Sequence, residues 1–121
     1  MKFAKLVYSI AAIYGLIVLV PQYFFENRNG IQFPPPINHP EYYYGFVGIA
    51  VAWQVAFLII SRDPRRYRTL MIATWLEKFS YAIAAIILYA QSRLATAMLA
   101  FGSIDLVLGI LFVLAYIKTR D

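Results

Sequence analysis

Four long apolar stretches alternate with short polar segments along the chain, without the strict alternation that is typical of a half-buried strand. A helix needs about 20 mostly apolar residues to cross a bilayer, and each stretch reaches about that length. The pattern predicts spans over residues 4–25, 42–61, 64–90 and 94–117, with one sizeable loop over 26–41. The expected fold is all-α: a polytopic membrane protein whose whole chain, 1–121, forms one four-transmembrane-helix bundle.

Short signals predict how the spans begin and connect. Asn27–Gly30 is rich in turn-forming residues, and Pro34–Pro36 favours an extended polyproline stretch. We expect the segment from Ile31 to Pro40 to be ordered over the end of the bundle, because its apolar side chains would otherwise face water. Asp63 followed by Pro64 is typical of a helix start and predicts that the third span begins there.

Composition narrows the class of protein. Of the 121 residues, 62% are apolar and only 14% are charged, which is too little polar surface for a small soluble domain. Lipid is therefore the expected solvent. The chain has no cysteine, which excludes disulfides, thiol catalysis and cysteine-ligated zinc or iron–sulfur clusters. No residue pattern indicates a cofactor or a bound metal.

The positions of lysine and arginine predict the orientation of the bundle. Arg28 and Arg93 fall on one side of the predicted spans, and eight basic residues fall on the other. The eight are Lys2, Lys5, Arg62, Arg65, Arg66, Arg68, Lys118 and Arg120. Cytoplasmic flanks of membrane helices carry such an excess, so we expect both termini in the cytoplasm and the protein in a cell inner (plasma) membrane, as in bacteria. This topology accounts for the net charge of +5 without nucleic acid.

Three ionisable residues lie inside predicted spans. Lys78 lies 14 residues before Ser92 and Asp105 lies 13 residues after it, so the two reach the same depth in a helical hairpin. Each charge is costly at that depth unless it finds a partner. We therefore expect a buried Lys78–Asp105 ion pair with Glu77 as its third member. Three ionised groups would leave a net charge of −1, so either one carboxyl group stays protonated or a cation or polar ligand joins them, and we expect Glu77 to be the protonated group.

Other residues near the span midpoints are candidates for the same site. They are Tyr14, Trp53, Gln54 and Tyr81. Because Glu77 points about 100° away from Lys78, we expect it to meet Tyr14 or Gln54. Two interpretations stay open: a satisfied polar network that fixes helix register, and a midplane site for binding a ligand or handling protons.

Small residues predict where helices approach each other closely. Gly102 and Gly109 share a helix face with Asp105, which favours close contact with a neighbouring backbone. A second smooth face on span two is also expected to pack closely; it consists of Gly45, Gly48, Ala52 and Ala56.

His39 and Glu41 lie beside the predicted outer mouth of the bundle. A histidine and a carboxylate at this spacing are suited to binding a cation or to titrating near neutrality. The alternative is structural, with both side chains capping the backbone of the next helix. Two ligands do not by themselves define a metal site.

The four-span layout and two sequence segments resemble those of DoxX-like small bacterial membrane proteins. The segments are Leu-Glu-Lys-Phe-Ser-Tyr (76–81) and Ile-Asp-Leu-Val-Leu-Gly-Ile-Leu-Phe (104–112). That resemblance implies a fold type and little chemistry. The chain is also similar to the emopamil-binding, sterol-isomerase-like family in its chemistry, which implies that Glu77, Asp105, Trp53 and Trp75 face a lipid-accessible pocket. Small multidrug-resistance transporters carry their essential glutamate in the first span, where this chain has only Ser9 and Tyr14 as polar candidates.

We expect a noncatalytic role: binding a small lipophilic ligand, or acting as a subunit of a membrane complex, through the midplane polar site. One alternative is a lipid-phase, isomerase-like enzyme with Glu77 or Asp105 as general acid or base. Another is a small proton-coupled transporter. The partners that fit are membrane lipids, a lipophilic ligand, and further subunits of a homo-oligomer or larger complex.

Overall fold

The computed structural model describes residues 2–119, and over this range the chain forms five α-helices and no strand. Arg120, which belongs to the predicted basic flank, lies outside the described residues. The helices are α1 (Lys2–Leu19), α2 (Glu26–Gln32), α3 (Pro40–Arg62), α4 (Met71–Ala90) and α5 (Thr96–Lys118). Short 3₁₀ turns extend α1 through Phe24 and precede α4 over Arg68–Leu70.

Four of the helical segments are long and apolar enough to cross a membrane, so the four long apolar helices that the sequence predicts are present. Each covers 23 residues: Lys2–Phe24, Pro40–Arg62, Arg68–Ala90 and Thr96–Lys118. The remaining helix, α2, is a short element between the first two. We name the two ends of the bundle by what they contain. The terminal end holds Lys2, Lys118 and the 62–68 turn, and the loop end holds α2.

The long helices associate as two pairs. α1 packs along α3, and α4 packs along α5, with α1 and α5 joining the pairs. α3 and α4 touch at only a few points, so the ring of four helices has a weak side between them. The short 91–95 connection makes α4 and α5 antiparallel neighbours, as the sequence predicts.

The apolar core lies in the half of the bundle nearer the terminal end. Its centre is an aromatic cluster in which Tyr8 stacks on Phe112 at 4.2 Å between ring centroids, and Phe57 meets both rings edge-on. Around this cluster pack Ala4, Val7, Ala11, Ala12, Ile60, Met71, Leu108 and Ala115. All of these side chains are buried, so this half holds the pairs together.

The glycine face of α5 lies against α4, as the sequence predicts. A Cβ atom added at Gly102 would lie 2.7 Å from the Cβ of Ala85, and one at Gly109 would lie 2.6 Å from the Phe79 ring. Such distances are shorter than real contacts, so both glycines allow a close helix approach. The small-residue face of α3 behaves differently: Ala52 is exposed and Gly45 has open space around it. The predicted close packing of that face is therefore wrong at these two residues, whereas Gly48 lies close to the Tyr23 hydroxyl.

The predicted turn at Asn27–Gly30 is wrong, because this stretch is part of α2. Side chains from distant segments hold the helix in place. The Tyr43 hydroxyl donates to the Gln22 carbonyl oxygen at 2.6 Å, and the Asn29 amide donates to Tyr43 at 2.9 Å. Tyr44 donates to the Glu26 carboxylate at 2.9 Å. These tertiary contacts override the local turn preference.

Two further local predictions differ from the structure. Asp63 does accept a hydrogen bond from the Arg66 amide, but it starts a turn, and α4 begins only at Met71. In the 31–40 segment, Ile37 is half-buried, whereas Ile31 and Phe33 are exposed. The predicted apolar cover over the bundle end is therefore wrong for those two side chains, which lie on the outer surface of the loop.

Candidate functional site

Three ionisable side chains meet near the middle of the α4–α5 pair, and we call them the ion cluster: Glu77, Lys78 and Asp105. The Lys78 ammonium donates to Asp105 Oδ1 at 3.3 Å, and it lies 3.6 Å from Glu77 Oε2. The Lys78 side chain is 5% exposed, whereas those of Asp105 and Glu77 are 16% and 19% exposed. The predicted buried ion pair is confirmed, and Glu77 is its third member.

Helical periodicity explains where α4 places each side chain. At 100° per residue, Thr74, Lys78 and Ala82 share one stripe, and all three are buried in the bundle. Trp75 and Phe79 lie to one side of that stripe and contact α5, through Tyr116 and at Gly109. Glu77 lies about 100° to the other side. It therefore belongs to the side of α4 that faces away from α5.

Two aromatic residues that sequence reasoning missed complete the surroundings of the cluster. Phe57 of α3 lies beneath the ammonium, with its ring centroid 5.3 Å from Lys78 Nζ, a cation–π arrangement. Tyr8 shares a 2.8 Å hydrogen bond with Thr74, one turn below Lys78. Tyr8 shares one face of α1 with three small residues that are all buried: Ala4, Ala11 and Gly15. This stripe is the sequence feature that could have pointed to Tyr8.

The other candidates divide between the cluster and its neighbours. Tyr14 and Tyr81 are half-buried and lie in the neighbourhood of Asp105. Gln54 is buried against Gly15, between α1 and α3, and its amide donates to the Ala50 carbonyl oxygen at 2.9 Å. Trp53 packs on Phe57.

The predicted contact of Glu77 with Tyr14 or Gln54 is wrong. The partner of the Glu77 carboxylate is Lys78, the next residue in its own helix. Gln54 is on the α1-facing side of α3, and Tyr14 is grouped with Asp105 instead. Equal depth does not bring side chains together when they face different gaps between helices.

Hydrogen-bonding capacity in this region is not exhausted. Among the described residues, three buried side-chain atoms have no hydrogen-bond partner: Glu77 Oε2, Gln54 Oε1 and Trp75 Nε1. The 3.6 Å separation of Glu77 Oε2 from Lys78 is an ionic contact, longer than a good hydrogen bond. The cluster also has two carboxyl groups and one ammonium, so Glu77 has an unmatched capacity for a positive charge or a hydrogen-bond donor.

His39 and Glu41 form a separate, exposed pair at the loop end. His39 Nδ1 lies 3.1 Å from Glu41 Oε1, and the imidazole stacks on Tyr42. The backbone carbonyl of His39 accepts from the amides of Tyr42 and Tyr43, but its side chain makes no capping bond, so side-chain capping by His39 is wrong. Over residues 2–119 no three metal-ligating side chains come together.

Comparison of the chain with protein-family models, with curated proteins and with solved structures found no match. The resemblance to DoxX-like proteins therefore stays a prediction. The ion cluster and its surroundings carry the functional argument.

Proposed function

We propose that this chain is an integral protein of a cell inner (plasma) membrane, with both termini in the cytoplasm, that binds a small lipophilic ligand at the ion cluster. Four helices of spanning length and a basic terminal end support membrane insertion in this orientation. The half-buried carboxylates support binding, because they make the cluster reachable from outside the protein.

The observation that carries the proposal is a buried oxygen of Glu77 that contacts Lys78 only ionically, at 3.6 Å, and has no hydrogen-bond partner. A network that served packing alone would be expected to satisfy its buried polar atoms, since each unsatisfied one costs about 1 to 3 kcal/mol. Intramembrane ionisable residues are also functional candidates in general. A ligand that donates to Glu77 would give this oxygen the hydrogen-bond partner that it lacks.

Binding can be tested with three eight-carbon probes: octylamine, octanol and octanoic acid. Thermal unfolding of the purified protein is measured in a neutral detergent with increasing amounts of each. A compound that binds the folded state raises the unfolding temperature. We expect at least one probe to do so for the unmodified chain.

The matched comparison is a chain with an apolar cluster, Glu77→Met, Lys78→Met and Asp105→Leu. Replacing a buried ion cluster with apolar residues usually preserves a fold. This variant should lose the stabilisation, whereas replacement of the exposed pair, His39→Asn with Glu41→Gln, should keep it. If no probe stabilises the unmodified chain, or if the apolar variant responds equally, the proposed binding function is wrong.

A further inference from the structure

The side of α4 that carries Glu77 faces the weak side of the bundle. Leu70 precedes Glu77 by seven residues and has helical backbone angles, so the two lie within about 20° on one side of α4. Leu70 borders α3, because it lines a groove there. Glu77 therefore opens toward the gap between α3 and α4, where the two helices make little contact.

That gap contains an apolar groove of about 250 Å³. Its walls are Ile49, Ala52, Trp53, Ala56 and Leu70. Trp53 also packs on Phe57, whose ring centroid lies 5.3 Å from the Lys78 ammonium, so this wall of the groove is connected to the ion cluster through one aromatic side chain. Glu77 is not one of these walls; it lies on the same side of α4 as Leu70, about 10 Å farther along the helix.

Charge decides what kind of polar group belongs there. Two ionised carboxyl groups would give the cluster one net negative charge, which is costly in a low-dielectric region, so without a ligand a proton on Glu77 keeps the sum at zero. A neutral ligand leaves that proton in place, and an anion adds a negative charge. A ligand with one positive charge takes the place of the proton, keeps the sum at zero with Glu77 ionised, and supplies the donor that Glu77 Oε2 lacks.

We infer that the ligand is a lipophilic monocation, such as an alkylammonium compound, that enters between α3 and α4 from the lipid. Its charged group contacts Glu77 and its hydrocarbon part occupies the groove beside Trp53. Lys78 and Asp105 stay paired behind it. This inference rests on the proposed binding function and specifies its ligand class.

The test compares the same three probes at pH 7, where octylamine is a cation, octanol is neutral and octanoic acid is an anion. Octylamine should stabilise the unmodified protein at a concentration at least tenfold lower than octanol, and octanoate should be weakest. Glu77→Gln should abolish the advantage of octylamine over octanol. Glu41→Gln removes the same charge at the exposed loop end and should leave that advantage intact.

A second set of variants tests the groove by enlarging single side chains of α3. Ala52→Leu fills it and should weaken octylamine and octanol by the same factor, whereas Val55→Leu, on α3 but outside the groove, should change neither. Equal response to octylamine and octanol in the unmodified protein would refute the cation preference while leaving ligand binding standing. An advantage that persists in Glu77→Gln would refute the contact with Glu77. Failure of all three probes would refute the binding function itself.

Discussion

Lys78 has two carboxylate partners, whereas Asp105 has one ammonium partner. Replacing Lys78 and replacing Asp105 should therefore lower the stability of the fold by different amounts. Lys78→Met leaves two carboxyl groups without a cation, so it should destabilise the fold by about 3 to 5 kcal/mol. Asp105→Leu should cost less, because Lys78 keeps Glu77 at 3.6 Å as a counterion. The double variant should recover part of the Lys78→Met loss, since the remaining Glu77 can take up a proton. Thermal unfolding in detergent measures all three.

The control for this cycle is the His39–Glu41 pair, which is 64% and 65% exposed. Removing either partner there should change stability by about 1 kcal/mol or less, as is usual for exposed ion pairs. Additive losses for Lys78→Met and Asp105→Leu would show that the two residues do not stabilise each other.

The ion pair could be predicted because a short hairpin relates depth to sequence separation: Lys78 and Asp105 lie 14 and 13 residues from Ser92, which places them at nearly the same depth. The partner of Glu77 could not be predicted in this way. Depth gives the height of a residue in the bundle, but the order of the helices around it decides which gap a side chain faces. For the same reason, Tyr8 and Phe57 looked like ordinary members of apolar runs until the structure brought them beside Thr74 and Lys78.

At the scale of helices, Gly102 sets the separation of α4 and α5. In Gly102→Ala the added Cβ would meet the Cβ of Ala85, and neither atom can rotate away because both are fixed to the backbone. The helices would have to separate, at a cost of about 1 to 3 kcal/mol. Ala85→Gly in the same chain should restore much of that loss. Thermal unfolding of the single and double variants checks this.

Gly45→Ala is the matched control, because nothing lies within 4 Å of its added Cβ. It should be neutral or slightly stabilising, since alanine favours a helix over glycine. A Gly102→Ala variant as stable as Gly45→Ala would show that α4 and α5 are not held at this distance.

The two small-residue faces also show the limit of prediction for elements. The face around Gly102 and the face around Gly45 both carry small residues, yet a neighbouring helix lies close against Gly102 and leaves open space around Gly45. A short connection forces α5 against α4, whereas nothing local chooses the neighbour of α3. Helix α2 was missed because Tyr43 and Tyr44, which hold it, come from the next span.

At the scale of the whole molecule, two helix pairs meet through a core near the terminal end, and the ion cluster lies at the edge of that core. Contacts across the terminal end are also specific: the Arg68 guanidinium stacks on Tyr116 at 3.6 Å and donates to its carbonyl oxygen, and Lys118 lies over the Phe3 ring. Apart from Arg120, which lies outside the described residues, the basic residues of the predicted cytoplasmic flank thus share one end of the bundle.

The orientation itself is testable with single cysteines, because the natural chain has none. Asn27→Cys and Gln91→Cys place exposed thiols at the loop end, and Thr69→Cys places one at the terminal end. All three replaced residues are uncharged, so the basic excess that orients the protein stays intact. In intact cells an impermeant maleimide should label the first two variants, and it should label Thr69→Cys only after the membrane is permeabilised. Labelling of Thr69→Cys without permeabilisation would contradict the predicted orientation, and equal labelling of all three would indicate insertion in both orientations.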